Sequence, residues 1–177
     1  WGGRYARYKP PSVDWRDDET RPIWTDTEDT VTGVDGKRYT SDEATIWRWR
    51  EAYQNEFAAR MDWCVAPKND ANHPPVPVLA GKDRIKAKPG AAIKLSAKDS
   101  SDPDGDQLLF NWFHYGEVGT HDGVIDIETE AAPEAKVVVP EDAPPGKTIH
   151  IVLQVSDTGK PSLTRYRRVI ITVDGGR

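Results

Sequence analysis

Cysteine is nearly missing from this chain: Cys64 is the only one in 177 residues. An internal disulfide framework and paired-cysteine metal sites are therefore excluded, and a single thiol reads as a small core hydrophobe. A basic excess is missing too. The chain carries 24 Lys and Arg against 29 Asp and Glu, a net charge of -5 and a pI near 5.4. No stripe of cations collects phosphate contacts, so nucleic acid is not an expected partner. No apolar run approaches the ~20 residues that span a bilayer, so no membrane partner is expected. The opening WGGRYARY lacks an initiator Met and the apolar stretch of a signal peptide, as expected of a piece cut from a longer protein.

Catalytic signatures are equally sparse. His73, His114, His121 and His150 show no HxxxH or HExxH spacing, and neither a GxSxG elbow nor a phosphate-binding loop is present. Glu51 and Glu56 are five residues apart and point in different directions on a helix. Glu117 and Asp122 meet the general need of a glycosidase for two carboxylates, but so does any acidic loop. His114 and His121 stand either side of a short glycine-containing stretch, a weak basis for a metal. No catalytic residue is assigned.

Tryptophan is abundant. There are seven, and all but Trp112 lie at or before Trp63. Trp1, Tyr5, Tyr8, Trp15 and Trp24 alternate with Arg, Asp and Pro. Such aromatics either stack sugar rings, whose C–H groups suit the negative π face, or pack against a neighbouring domain. Asp35-Gly36 is a strong hairpin signal. The one clear helix is expected from about Ser41 to Asp62, with Thr40 and Glu43 as a capping box. Ile46, Trp49, Tyr53, Phe57, Met61 and Cys64 share one face at helical spacing, and Ala52, Ala59 and Trp63 widen it. Trp47 falls outside that face, either exposed for stacking or covered by a neighbour.

Residues 67–77 form a Pro-rich linker, which no helix or ladder crosses. It separates residues 1–66 from 78–177. Beyond it the apolar period changes to two: Ile93, Leu95 and Ala97; Phe110 and Trp112; Val137 and Val139; Ile149, Ile151, Leu153 and Val155; Val169, Ile171 and Val173. The fold class is mainly β: an Ig-like antiparallel sandwich with a Trp-rich N-terminal extension holding one amphipathic helix. Trp112 belongs to the core.

Two candidate sites follow. The loop DSSDPDGD carries Asp99, Asp102, Asp104 and Asp106. Calcium takes six to eight oxygens, often carboxylates on a tight Gly/Asp loop, yet no Glu stands twelfth from Asp102 as in an EF-hand. Asp and Ser also build such turns without metal. Calcium is thus a candidate cofactor, with a plain turn as the alternative. The second site is the outward face of the third sandwich strand, where Phe113 and Tyr115 oppose Trp112 in phase. In an Ig-type sheet the third strand pairs with the sixth and that with the seventh, which brings His150, Gln154, Tyr166 and Arg168 alongside. Together with Trp47, these aromatic, amide and guanidinium groups suit an oligosaccharide, or a face on which the N-terminal segment docks.

From Asn72 to Val173 the chain resembles polycystic-kidney-disease-type and cadherin-like modules, through NHPPVP, KDSSDPDGDQLLFNW and LQVSDTGKPSLTRYRRVIITV. Some such modules hold calcium between this loop and the incoming linker, which implies Asn72 or Asp70 as further ligands. WGGRYARY, IWTDTEDTV and IWRWREAYQNEFAARMDWCV make the whole chain resemble the C-terminal part of a bacterial family of cellulose-binding proteins. In that family a nucleoside-hydrolase-like domain precedes the sandwich, which implies that Trp1 to about Pro11 closes that domain. The acidic metal motif of nucleoside hydrolases is absent, so no hydrolase activity carries over. The resemblance implies a non-catalytic module of a larger secreted or periplasmic bacterial protein that binds or positions cellulose-type polysaccharide. The alternatives are a structural domain stabilising the hydrolase-like enzyme, or part of a glycan hydrolase whose active site WGGRYARY helps to build.

Overall fold

The computed structural model describes residues 3–15 and 18–175. Trp1 and Gly2 of the opening motif lie outside them. Two compact units are present, Trp1–Glu51 and Ala52–Arg177. The division falls inside the long helix, whereas the sequence suggests the Pro-rich linker.

The first unit is built from two-stranded ribbons. β1 (Tyr5–Tyr8) pairs antiparallel with β2 (Ile23–Asp26), and β3 (Asp29–Thr32) with β4 (Arg38–Ser41). The β3–β4 hairpin turns at Asp35-Gly36 as expected: Gly36 adopts φ +75, open to glycine without a Cβ penalty, and Gly33 N–H donates to the Lys37 carbonyl at 2.8 Å. A short helix, α1 (Ala44–Trp47), follows. Its cap differs from the predicted box. Ser41 Oγ accepts from Ala44 N–H at 3.1 Å, while Thr40 is held in β4, where its hydroxyl meets that of Thr30.

The second unit opens on α2 (Arg50–Val65), which belongs to it from Ala52 onward. The packed side of α2 takes only part of the predicted apolar face: Ala52, Tyr53, Ala59 and Trp63 are covered, and the Phe57–Met61–Cys64 edge is not. Phe57 and Met61 are about half exposed and Cys64 is exposed, while Ala59 is buried and Ala52, Asn55, Glu56 and Trp63 are partly covered. Polar bonds fix this orientation. Asn55 Nδ2 donates to the Ser162 carbonyl at 3.0 Å, Arg165 Nη1 lies 2.6 Å from Glu56 Oε2, and Trp63 Nε1 donates to the Asn72 carbonyl at 2.7 Å.

The rest of the second unit is an Ig-like sandwich. β5 (Arg84–Ala87), β11 (Thr164–Val173), β10 (Thr148–Ser156) and β7 (Leu109–His114) form one sheet in that order, with β5 parallel to β11 and the other pairs antiparallel. β6 (Ala92–Ser96), β9 (Glu134–Val138) and β8 (Ile127–Glu128) form the second sheet. The third sandwich strand thus pairs with the sixth and the sixth with the seventh. Period-two side chains from both sheets close the core: Leu95, Val137, Ile149, Ile151, Leu153, Val155, Val169, Ile171 and Val173 are buried. Trp112 is fully buried among them, and its Nε1–H donates to the Ala132 carbonyl at 2.9 Å, so its polar edge is satisfied.

Candidate functional site

The register of the four-stranded sheet sets its outer face. Ile151, Leu153 and Val155 point into the core, so His150, Val152 and Gln154 point outward. Cross-strand pairing then builds rows. Phe113 and Arg168 flank Val152, and Asn111 and Tyr166 flank Gln154. His150 pairs with Ile170, which pairs with Arg84. Phe113 and Tyr166 are partly exposed, while Asn111 and Arg168 are exposed. The result is a band of two aromatic rings, two amides and a guanidinium on a rigid sheet.

Two predicted members of this band sit lower. Tyr115 is 8% exposed and His150 8%. β7 ends at His114, so outward alternation stops before Tyr115, and the chain enters a 3-10 turn at Gly116–Val118. Tyr115 N–H donates to the His150 carbonyl at 2.9 Å. Both residues therefore support the face rather than offer it to a ligand. Burial holds the His150 imidazole below its ordinary pKa, reinforced by the positive charges of Arg168, His114 and Arg84. His114 is lowered for the same first reason, with His121 adding and Glu117 opposing. Trp47 lies in the other unit, on α1, and is half exposed. Asn111 and Arg84 were not among the predicted residues. Asn111 shares strand phase with Phe113, a signal that would have found it.

The acidic loop is committed to local bonds. Asp102 Oδ1 accepts from the N–H groups of Asp104 (2.8 Å) and Asp106 (3.2 Å), an Asx-type turn, with Gly105 at φ +81. Asp104 accepts from His73 N–H at 2.6 Å and meets its Nδ1 at 3.0 Å. His73 in turn stacks on Trp63, with ring centroids 5.9 Å apart and planes 11° apart. The loop thereby anchors the linker and α2. Asp99 is exposed. Asp102 Oδ2 and Asn72 Oδ1 are buried without a hydrogen-bond partner, oxygens of the type that suits a hard cation. Two such oxygens fall short of the six to eight calcium takes, and among the described residues no group of three or more His, Cys, Asp or Glu is placed to hold a metal ion. Burial, then the charges of Asp102, Asp157 and Asp104, push the Asp106 carboxyl up.

Asp157 completes this region. It is fully buried; its Oδ1 accepts from Gly159 and Leu163 N–H at 3.0 and 2.9 Å, and its Oδ2 from Asn72 Nδ2 at 3.1 Å. Any side chain at Gly159 would overlap Asn72. The linker is clamped to the sandwich at this point, which identifies Asn72 as an anchor.

Comparison with known proteins adds an independent line. Residues 92–173 match the model of the C-terminal domain of cellulose-binding protein Sde0182. A solved nucleoside hydrolase-related hypothetical protein from Saccharophagus degradans, described as associated with carbohydrate metabolism, is 39% identical with a TM-score of 0.72. The alignment covers 79% of this chain and 36% of that one, so the chain spans little more than a third of that protein. The PKD domain of the KIAA 1837 protein aligns at 18% identity with a TM-score of 0.39, over 55% of this chain and 86% of that one. The curated proteins give no significant match.

Proposed function

Because residues 92–173 match the model of the C-terminal domain of cellulose-binding protein Sde0182, we propose that this chain is a non-catalytic module that binds or positions cellulose-type polysaccharide within a larger secreted or periplasmic bacterial glycan-acting protein. One observation supports this reading above the rest. The partly exposed band formed by Asn111, Phe113, Gln154, Tyr166 and Arg168 lies wholly inside the matched residues. Aromatic rings give sugar rings a flat apolar platform, and amide and guanidinium groups bond their hydroxyls. A sheet surface needs no rearrangement to present them, which lowers the ordering cost of binding.

The test is retention on insoluble cellulose. The parent chain should be retained, while Phe113→Ala and Tyr166→Ala should each release it, with near-UV spectra showing an intact Trp112 core. Trp47→Ala, altering the other unit, should leave retention unchanged. Failure of the parent chain to bind any polysaccharide would remove this reading.

A second reading rests on α2. Phe57, Met61 and Val65 stand four residues apart on its exposed side, a stripe of the kind that buries against a partner. The hydrolase-like remainder of the longer protein is the proposed occupant, because the solved relative is nucleoside hydrolase-related and almost two thirds of it lies beyond this chain's match. Phe57→Ser with Met61→Ser should leave the melting of this chain unchanged and lower that of the full-length protein. Equal melting of both full-length forms would rule the contact out.

A further inference from the structure

The first unit has a cleft of its own. Arg7, Tyr8, Lys9, Pro10, Glu19 and Arg21 line a surface cavity of about 450 Å³. Arg21 and Glu19 neutralise each other: Arg21 Nη2 lies 2.8 Å from Glu19 Oε2, and its Nε donates to Oε1 at 2.9 Å. The side chains of Arg7 and Lys9 form no ion pair or hydrogen bond among the described residues. The cleft of a net-acidic chain therefore presents two uncommitted cations. Tyr8 lies between them in sequence, 47% exposed, and Arg7 is paired across the ribbon with Trp24, 62% exposed. An aromatic surface beside unpaired cations complements a ring that carries a carboxylate.

We infer that this cleft binds an anionic carbohydrate, a uronate-type oligosaccharide, with Arg7 and Lys9 taking the carboxylates and Tyr8 a sugar face. The inference rests on the reading that the chain handles polysaccharide, but on different residues in a different unit from the sheet face. The Arg7 guanidinium presents a planar fork to a carboxylate, whereas Lys9 acts as a point charge. The site therefore selects acidic over neutral sugars by charge rather than by shape. Its affinity is sensitive to salt, because exposed charges are screened over about 10 Å at 0.1 M ionic strength.

Titration calorimetry with trigalacturonate, cellotriose and sodium acetate tests this on the intact chain. Trigalacturonate should bind, cellotriose and acetate should not bind at this site, and raising the salt about tenfold should weaken binding severalfold. Arg7→Gln with Lys9→Gln should reduce trigalacturonate affinity at least tenfold, whereas Phe113→Ala should leave it unchanged. Equal affinity for cellotriose, or an affinity untouched by the double variant, overturns the inference. Acetate binding as tightly as trigalacturonate shows a bare carboxylate site and overturns the sugar part. If trigalacturonate fails while cellulose retention still depends on Phe113, the inference falls and the proposed function stands.

Discussion

Arg4 Nη2 stands 2.7 Å from the Oδ1 of Asp29, a carboxylate only 1% exposed on β3. Arg48 Nε approaches the other oxygen at 3.3 Å. The three residues come from WGGRYARY, IWTDTEDTV and IWRWREAY, the stretches that carry the family resemblance in the N-terminal part. The motifs are thus joined by one buried ion cluster, and Arg4 has a structural task.

Removing the shared carboxylate leaves two guanidiniums around an empty site. Loss of one partner in a buried ion cluster costs about 3–5 kcal/mol, and a unit this small has little stability to lose. Asp29→Ala should therefore unfold the first unit while the sandwich keeps its cooperative transition. Amide exchange would show fast exchange in residues 3–51 and retained protection in β10 and β11. Full protection of β3 and β4 in the variant would contradict the assignment.

The attachment of α2 is acid-sensitive. Burial alone would raise the Glu56 carboxyl, but the hydrogen bonds and charges of Arg165 and Arg60 outweigh it and hold the pKa below the ordinary glutamate value. The folded state gives up this proton more readily than the unfolded one. The stabilisation is therefore complete above the ordinary glutamate range and disappears as pH falls through the lowered value. Arg165 is about one-third exposed, so solvent screening limits the contribution to about 1 kcal/mol. Glu56→Gln should lower the stability of the second unit by that amount at neutral pH and by almost nothing in acid. An equal loss at both pH values would mean that packing, not charge, holds the helix.

Burial first, and then the neighbouring carboxylates, disfavour the ionised Asp106 side chain. Because the Asp106 carboxyl is pushed up, its ionised form opposes folding at neutral pH, and the folded state is relatively favoured as pH falls through that raised value. Asp106→Asn should raise Tm at neutral pH, and the gain should vanish in acid. Melting in millimolar calcium against EDTA divides the two readings of the loop. A rise confined to calcium shows that the folded chain binds the ion, through linkage; an unchanged Tm leaves a self-sufficient turn.

Strand phase made the sandwich legible. A period of two placed Trp112, Phe110 and Phe113 correctly because both sheets bury one face of each strand. The same rule misplaced Tyr115, since alternation holds only while the strand lasts. The α2 face was legible in part: the helical period found Ala52, Tyr53, Ala59 and Trp63, but Asn55–Ser162 and Glu56–Arg165 join residues more than a hundred apart, and polar partners at that separation leave no periodic trace. The loop chemistry was half legible: the Asx turn is local, but the His73 partner of Asp104 is 31 residues away.

His114 and His150 predict a second, milder pH dependence. Burial lowers both imidazoles, and Arg168, His114 and Arg84 add to the effect at His150. The unfolded chain takes up protons near the ordinary histidine value of about 6.5, while the folded chain resists them. Stability is therefore complete above that value and is lost progressively as pH falls below it. The buried His114 Nε2 and His150 Nδ1 lack hydrogen-bond partners, so no acceptor compensates an added proton. Urea midpoints should decline from neutral pH towards pH 5 in the parent chain, and His150→Gln should flatten part of that decline while lowering the neutral-pH midpoint. Arg168→Gln removes a positive charge near His150 and brings its folded-state pKa back toward the ordinary value, so the decline should be shallower and end at a higher pH, with its onset unchanged. An unchanged depth would show that His150 is governed by burial alone.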